Sequence, residues 1–178
     1  MQWTGAWVLL LFIVFSSAVM LFLLHLTRAG RILHERIPDR PRRRMFLASV
    51  SFFITFLAVR LLVMAITHHI GPFGWVMLGG RHIHHLVWGI LLLLIAGYAM
   101  LAEFGAGSSA ASLFASRLLA ILYGVGAALT LDEFALWLNL QDVYWSRQGR
   151  ESIDAVVLFG ALLAMGAWGA PLWTRRKG

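Results

Sequence analysis

Five long apolar stretches, at about 6–26, 46–67, 83–102, 113–138 and 153–173, alternate with short polar segments along the chain. At about 1.5 Å per residue, each stretch is long enough as a helix to cross a hydrocarbon core of about 30 Å. No apolar–polar alternation of strand period competes over a comparable length. A backbone in lipid must satisfy its own hydrogen bonds within the segment, so these stretches are expected to be helices. The pattern predicts an all-α, polytopic membrane bundle of five transmembrane helices, with residues 1–178 forming a single membrane domain.

Composition strengthens this reading. Of 178 residues, 60% are hydrophobic and 13% charged, and the mean hydropathy is +0.79. A soluble domain of this size cannot hide so much apolar surface. No cysteine is present, which excludes disulfides, thiolate zinc sites, iron–sulfur clusters and thiol nucleophiles. The residues Met1–Gly5 lack the positive region of a cleavable signal peptide, so the first stretch is expected to remain as a helix.

Charge then sets the orientation. The segment 28–44, expected to be a loop, carries seven arginines, among them Arg40, Arg42, Arg43 and Arg44. With five helices, Arg117 and the tail residues Arg175, Arg176 and Lys177 fall on the same side, which makes eleven basic residues there. Arg81, Arg147 and Arg150 fall on the other side, and Arg60 lies within a helix. The positive-inside rule makes the arginine side cytoplasmic, so the chain is expected to run N-out and C-in. The expected location is a bacterial inner (plasma) membrane. The arginines are read as topology determinants in contact with anionic lipids, and nucleic acid is not an expected partner. Trp3, Trp7, Trp75, Trp137, Tyr144 and Trp145 would form an outer interfacial belt, with Phe104 and Trp173 at the inner one. Gly124 and Ala128, and Gly160 and Ala164, are four apart and suit close helix packing; a homo-oligomer is compatible with this.

Ionisable residues then collect at one depth. His68 and His69 end the second stretch, Arg81, His82, His84 and His85 open the third, and Asp132 and Glu133 lie near the outer end of the fourth. Asn139 and Asp142 follow. Ionisable groups inside a membrane are costly and mark functional sites. On an ideal helix His82 and His85 share a face, His84 turns away with Arg81, and Gly89 leaves room one turn below. Asp132 and Glu133, about 100° apart, cannot both aim at one metal, so one is expected to ligate and the other to move protons.

These residues predict a metal site of His68, His82, His85 and Asp132, with Glu133 as catalytic acid/base. Arg60, His69, Arg81, His84, Asn139 and Asp142 would serve as substrate-binding or supporting groups. Imidazole and carboxylate suit zinc first, with iron, manganese or copper as alternatives, and a bis-histidine haem b is a further alternative. The expected function is a metal-dependent hydrolase acting on a lipid-borne substrate. The alternatives are a proton or metal-ion transport component, or a non-catalytic or haem-binding subunit.

The stretches His82-Ile83-His84-His85-Leu86-Val87-Trp88-Gly89 and Leu131-Asp132-Glu133-Phe134-Ala135-Leu136-Trp137-Leu138, followed by Asp142-Val143-Tyr144-Trp145, resemble a family of small uncharacterised bacterial integral membrane proteins. That resemblance implies a membrane protein and no particular activity. The chemistry is also similar, by analogy, to that of ceramidase and adiponectin-receptor-like hydrolases. This chain differs from them in having five helices where they have seven, and in lacking their late His-x-x-x-His pair.

Overall fold

The computed structural model describes residues 11, 14–15, 17–22, 24, 27–71, 73–78, 80–140, 144–145 and 147–168. Most of the first predicted stretch lies outside them, and its described residues are helical. From there the elements are α1 (Arg28–Arg36), α2 (Arg40–Thr67), a hairpin of β1 (Met77–Leu78) and β2 (Arg81–His82), α3 (His85–Leu101), α4 (Ala110–Asp132), α5 (Phe134–Asn139), a 3₁₀ turn at Arg147–Gly149 and α6 (Arg150–Trp168).

Among the described residues, three helices, α2, α4 and α6, are long and apolar enough to cross a membrane, while α3 is apolar but shorter, at 17 residues. By length and composition these helices could each cross a membrane. α4 is central: it packs along both α2 and α3, and α2 also packs along α6. Val59 and Val63 of α2 meet Ile121, Val125 and Leu129 of α4 in one apolar cluster. Ala48 and Phe52 meet Ala127, Ala128, Val156 and Leu163 in a second.

Two regions differ from the sequence expectation, the segment 28–44 and the fourth stretch. The segment 28–44 is not an open loop, because α1 occupies its first half and α2 begins at Arg40. Asp39 sets that start: its carboxylate accepts from the Arg42 N–H at 3.1 Å, and Pro41 sits in the first turn, where it loses no helical bond. The long fourth stretch is interrupted at Glu133. No glycine or proline marks this break. Side chains hold it instead: Glu133 reaches across to α3, and the freed Ala135 N–H donates to Ser152 Oγ at 2.9 Å.

Two glycines set the helix spacing. A Cβ on Gly124 would lie 2.1 Å from Ser51 Oγ and 2.2 Å from Ala48 O, so α4 rests directly on α2 there. A Cβ on Gly89 would lie 2.5 Å from Thr130 Oγ1 and 2.8 Å from Gly126 O. Gly89 therefore leaves no space below the histidines; it is the point where α3 touches α4.

Candidate functional site

The contact at Gly89 decides what happens one turn above it. With α3 drawn against Thr130, His85 is placed beside Asp132, two residues further along α4. Asp132 is fully buried, at 0% exposure, and three segments converge on it. Arg60 Nε of α2 forms an ion pair with Oδ1 at 2.5 Å, His85 Nε2 lies 3.1 Å from Oδ2, and Tyr144 Oη donates to Oδ2 at 2.8 Å. The Arg60 guanidinium also lies over the Tyr144 ring, 4.3 Å from its centroid, so the cation meets both a carboxylate and an aromatic face. Burial and the neighbouring Asp132 carboxylate push the Tyr144 phenol well above its ordinary value, so it stays a donor.

Glu133 forms the second centre. Its Oε1 lies 2.8 Å from His84 Nδ1 and 3.6 Å from His85 Nδ1. Its Oε2 accepts the Leu86 N–H at 3.0 Å. The N-terminus of α3 has no side-chain cap of its own, and the carboxylate supplies one from α4, where the helix dipole favours negative charge. The break after Asp132 makes the pair of acids usable together. A continuous helix would hold their side chains about 100° apart, whereas here both reach His85.

The histidines divide differently from the expectation. His85 lies inside the cluster as expected. His84 does not turn away, because it precedes the first turn of α3 in extended conformation (φ −68°, ψ 146°), where ideal helical geometry does not apply. His82 stands beside it, with ring centroids 4.4 Å apart, and its other side meets Trp75 at 4.8 Å. His68 and His69 are exposed at the end of α2 and form none of the cluster's contacts. His69 has a left-handed backbone (φ 56°) as α2 turns away.

Arg81 is exposed on the hairpin. Asn139 faces α6, donating to Glu151 Oε2 at 3.0 Å and to Ala135 O at 2.9 Å, so it ties α5 down and takes no part in the cluster. Asp142 lies outside the described residues. Tyr144 was visible in the sequence only as a belt aromatic. A phenol close to a buried Arg–Asp pair has no periodic signature, so only the tertiary structure assigns it this position.

Beside the cluster is a cavity of about 50 Å³ lined by His82, His85 and Glu133 on its polar side, and by Val59, Val63 and Trp75 among the apolar residues. It has room for a few waters and none for an acyl chain. Among the described residues, no set of three or more histidine and acidic side chains is gathered closely enough to hold a metal ion. The acids instead face Arg60, Tyr144, the Leu86 N–H and the two imidazoles. Compared with protein-family models, with curated proteins and with solved structures, the chain matches none.

Proposed function

We propose that the chain is a multi-pass membrane protein whose histidine end faces the exoplasmic side and carries an acid–base site, with His84 as the group that takes up and returns a proton. The observation behind this is the 2.8 Å contact between His84 Nδ1 and the buried carboxylate of Glu133. A carboxylate on one ring nitrogen fixes the tautomer and orients the imidazole, leaving Nε2 to act on a water or substrate. Glu133 is then a positioning residue rather than the proton shuttle itself. The Arg60–Asp132 pair lies beneath as a neutralised foundation, and exposed Arg81 is free to orient an anionic group. A substrate borne by lipid would present its ester, amide or phosphoester from the membrane surface.

Positioned general bases contribute about 10²–10⁴-fold. Hydrolysis of a panel of 4-nitrophenyl esters, anilides and phosphoesters by the purified chain should therefore fall about 100-fold or more in His84→Ala. No turnover by the wild type, or turnover unchanged by that substitution, removes the proposal.

A second reading keeps the expected metal, because His82, His85 and Glu133 border the same cavity. An ion there would have to draw these side chains together and displace the present imidazole–carboxylate contacts; zinc would supply an activated water. Metal analysis of the purified protein by mass spectrometry decides it: about one zinc per chain, lost in His82→Ala, supports this reading, and a metal-free chain unaltered by added zinc ends it.

A further inference from the structure

The hairpin that precedes α3 places a second imidazole against His84. Its strands pair Met77 with His82 and Leu78 with Arg81, and the Ile83 N–H donates to Val76 O at 2.8 Å. Alternate residues of a strand share one side. Carried one pair further, this register sets Trp75 opposite His84, so Trp75, Met77, His82 and His84 fall on one side of the hairpin. The ring contacts agree. His82 lies against His84, with centroids 4.4 Å apart and planes at 35°, and against the diagonal Trp75 at 4.8 Å and 62°. His82 is thus held between the indole and the other imidazole. His84 itself stands between the hairpin and α3, which begins at His85, so the two adjacent histidines are held by different elements.

Glu133 holds the His84 ring at one atom, Nδ1, at 2.8 Å. The outer torsion of a histidine side chain is broad and roughly two-fold, so a contact at one atom sets the tilt of the ring loosely. The carboxylate selects the tautomer only while the ring presents Nδ1 to it. A contact on the ring face supplies the missing constraint. We propose that His82 is a positioning residue: steadied by Trp75, its ring sets the plane of His84, which keeps Nδ1 on Glu133 and aims Nε2 at the reacting group. The part this plays in catalysis rests on His84 being the proton acceptor proposed above, whereas the orientation of the ring does not. The role belongs to the face of the His82 ring and not to its nitrogens, which separates it from that of a zinc ligand.

The test uses the full chain in detergent and compares His82→Ala, which removes the ring, with His82→Phe, which keeps a ring face without nitrogens. Heteronuclear NMR of the histidine rings, above the pH at which they titrate, reports which nitrogen of His84 carries the proton, and His84→Ala supplies the assignment. The wild type and His82→Phe should show the proton on Nδ1 alone, and His82→Ala should show both tautomers. Should His82→Ala fail to fold, Trp75→Ala at an exposed position should give the same mixture. Hydrolysis should fall about 10- to 100-fold in His82→Ala, the loss expected of a misaligned reacting group, and be largely retained in His82→Phe. A single Nδ1–H tautomer in His82→Ala, or equal loss of turnover in both variants, overturns the proposal. A wild type without turnover removes the acid–base reading and the catalytic part of this one, and the tautomer alone then decides whether His82 orients His84.

Discussion

The two ends of the bundle are both crowded with charge, yet they satisfy it in different ways. At the histidine end the acids find their partners inside the protein: Arg60 forms an ion pair with Asp132, and the imidazoles lie within hydrogen-bond distance of Asp132 and Glu133. At the arginine end the cations meet carbonyls. Arg40 donates to Gly107 O at 2.8 Å, to Gly105 O at 3.2 Å and to Ala106 O. Arg44 donates to Gly105 O at 3.1 Å and to Ser116 Oγ at 2.8 Å, and Arg42 to Ala167 O at 3.0 Å. These guanidinia serve the turn after α3 and the last turn of α6, where helix carbonyls lack backbone partners and positive charge is favoured. One end is therefore held by carboxylates and the other by carbonyl and hydroxyl oxygens, which accept the arginine N–H groups without neutralising their charge.

The largest expected effect comes from unbalancing the histidine end. Asp132→Ala would leave the largely covered Arg60 without its counter-ion, and breaking such a pair costs about 3 kcal/mol, the low end for a buried pair. The double variant Arg60→Leu/Asp132→Leu removes both charges and should unfold at a higher denaturant concentration than Asp132→Ala alone. If the single variant proves as stable as the wild type, the pair is not a closed unit and the contrast between the ends fails.

Tyr144→Phe should follow, at about 1.5–3 kcal/mol, because it deletes a hydrogen bond to a charged group. It also carries a pH signature. The folded phenol is held above the usual value of about 10, so its contribution is complete below that pH. Above it the unfolded chain releases a proton that the folded chain keeps, and stability falls as pH rises towards the folded value. Unfolding free energies measured between about pH 9 and 11 should therefore drop more steeply for the wild type than for Tyr144→Phe. Parallel slopes would show that the phenol is not buried against Asp132.

Gly89→Ala tests how the histidine end is assembled. The added methyl would meet Thr130 Oγ1 at 2.5 Å and backbone atoms at 2.7 and 2.8 Å, so α3 must shift, at a cost of about 1–3 kcal/mol. The same shift moves His85 away from Asp132, so the imidazole resonance of His85 should change in NMR spectra along with the stability. A stability loss without any change at His85 would separate the helix contact from the cluster.

How much of this was legible in the sequence follows from what each feature depends on. The apolar stretches of α2, α4 and α6 are readable because lipid demands length and continuity, and the grouping of His85 with Asp132 and Glu133 follows from their shared place at helix ends. The break at Glu133 was not legible, because it arises from bonds to Leu86 and Ser152 that lie 47 and 17 residues away. Ideal helical angles fail at two residues for separate reasons: Glu133 because of this break, and His84 because it precedes the first turn of α3 in extended conformation. At the arginine end the sequence shows the charge, but not that Arg40, Arg42 and Arg44 are spent on carbonyls, since an acceptor of that kind is present at every residue and leaves no pattern.

The smallest expected effect lies at that end and sharpens the comparison most directly. Arg42→Gln removes a guanidinium whose Nε serves the carbonyl of Ala167, in a partly buried position. A hydrogen bond from this charged but partly exposed donor contributes about 1.5 kcal/mol, the low end for its kind. If the interaction were an ion pair at a surface, added salt would screen it, whereas a hydrogen bond to a carbonyl responds little to salt. The stability difference between wild type and Arg42→Gln should therefore stay nearly constant from about 0.05 to 0.5 M salt. A difference that shrinks with salt would mean that the arginine end is also held by charge pairing, and that the two ends differ in degree rather than in kind.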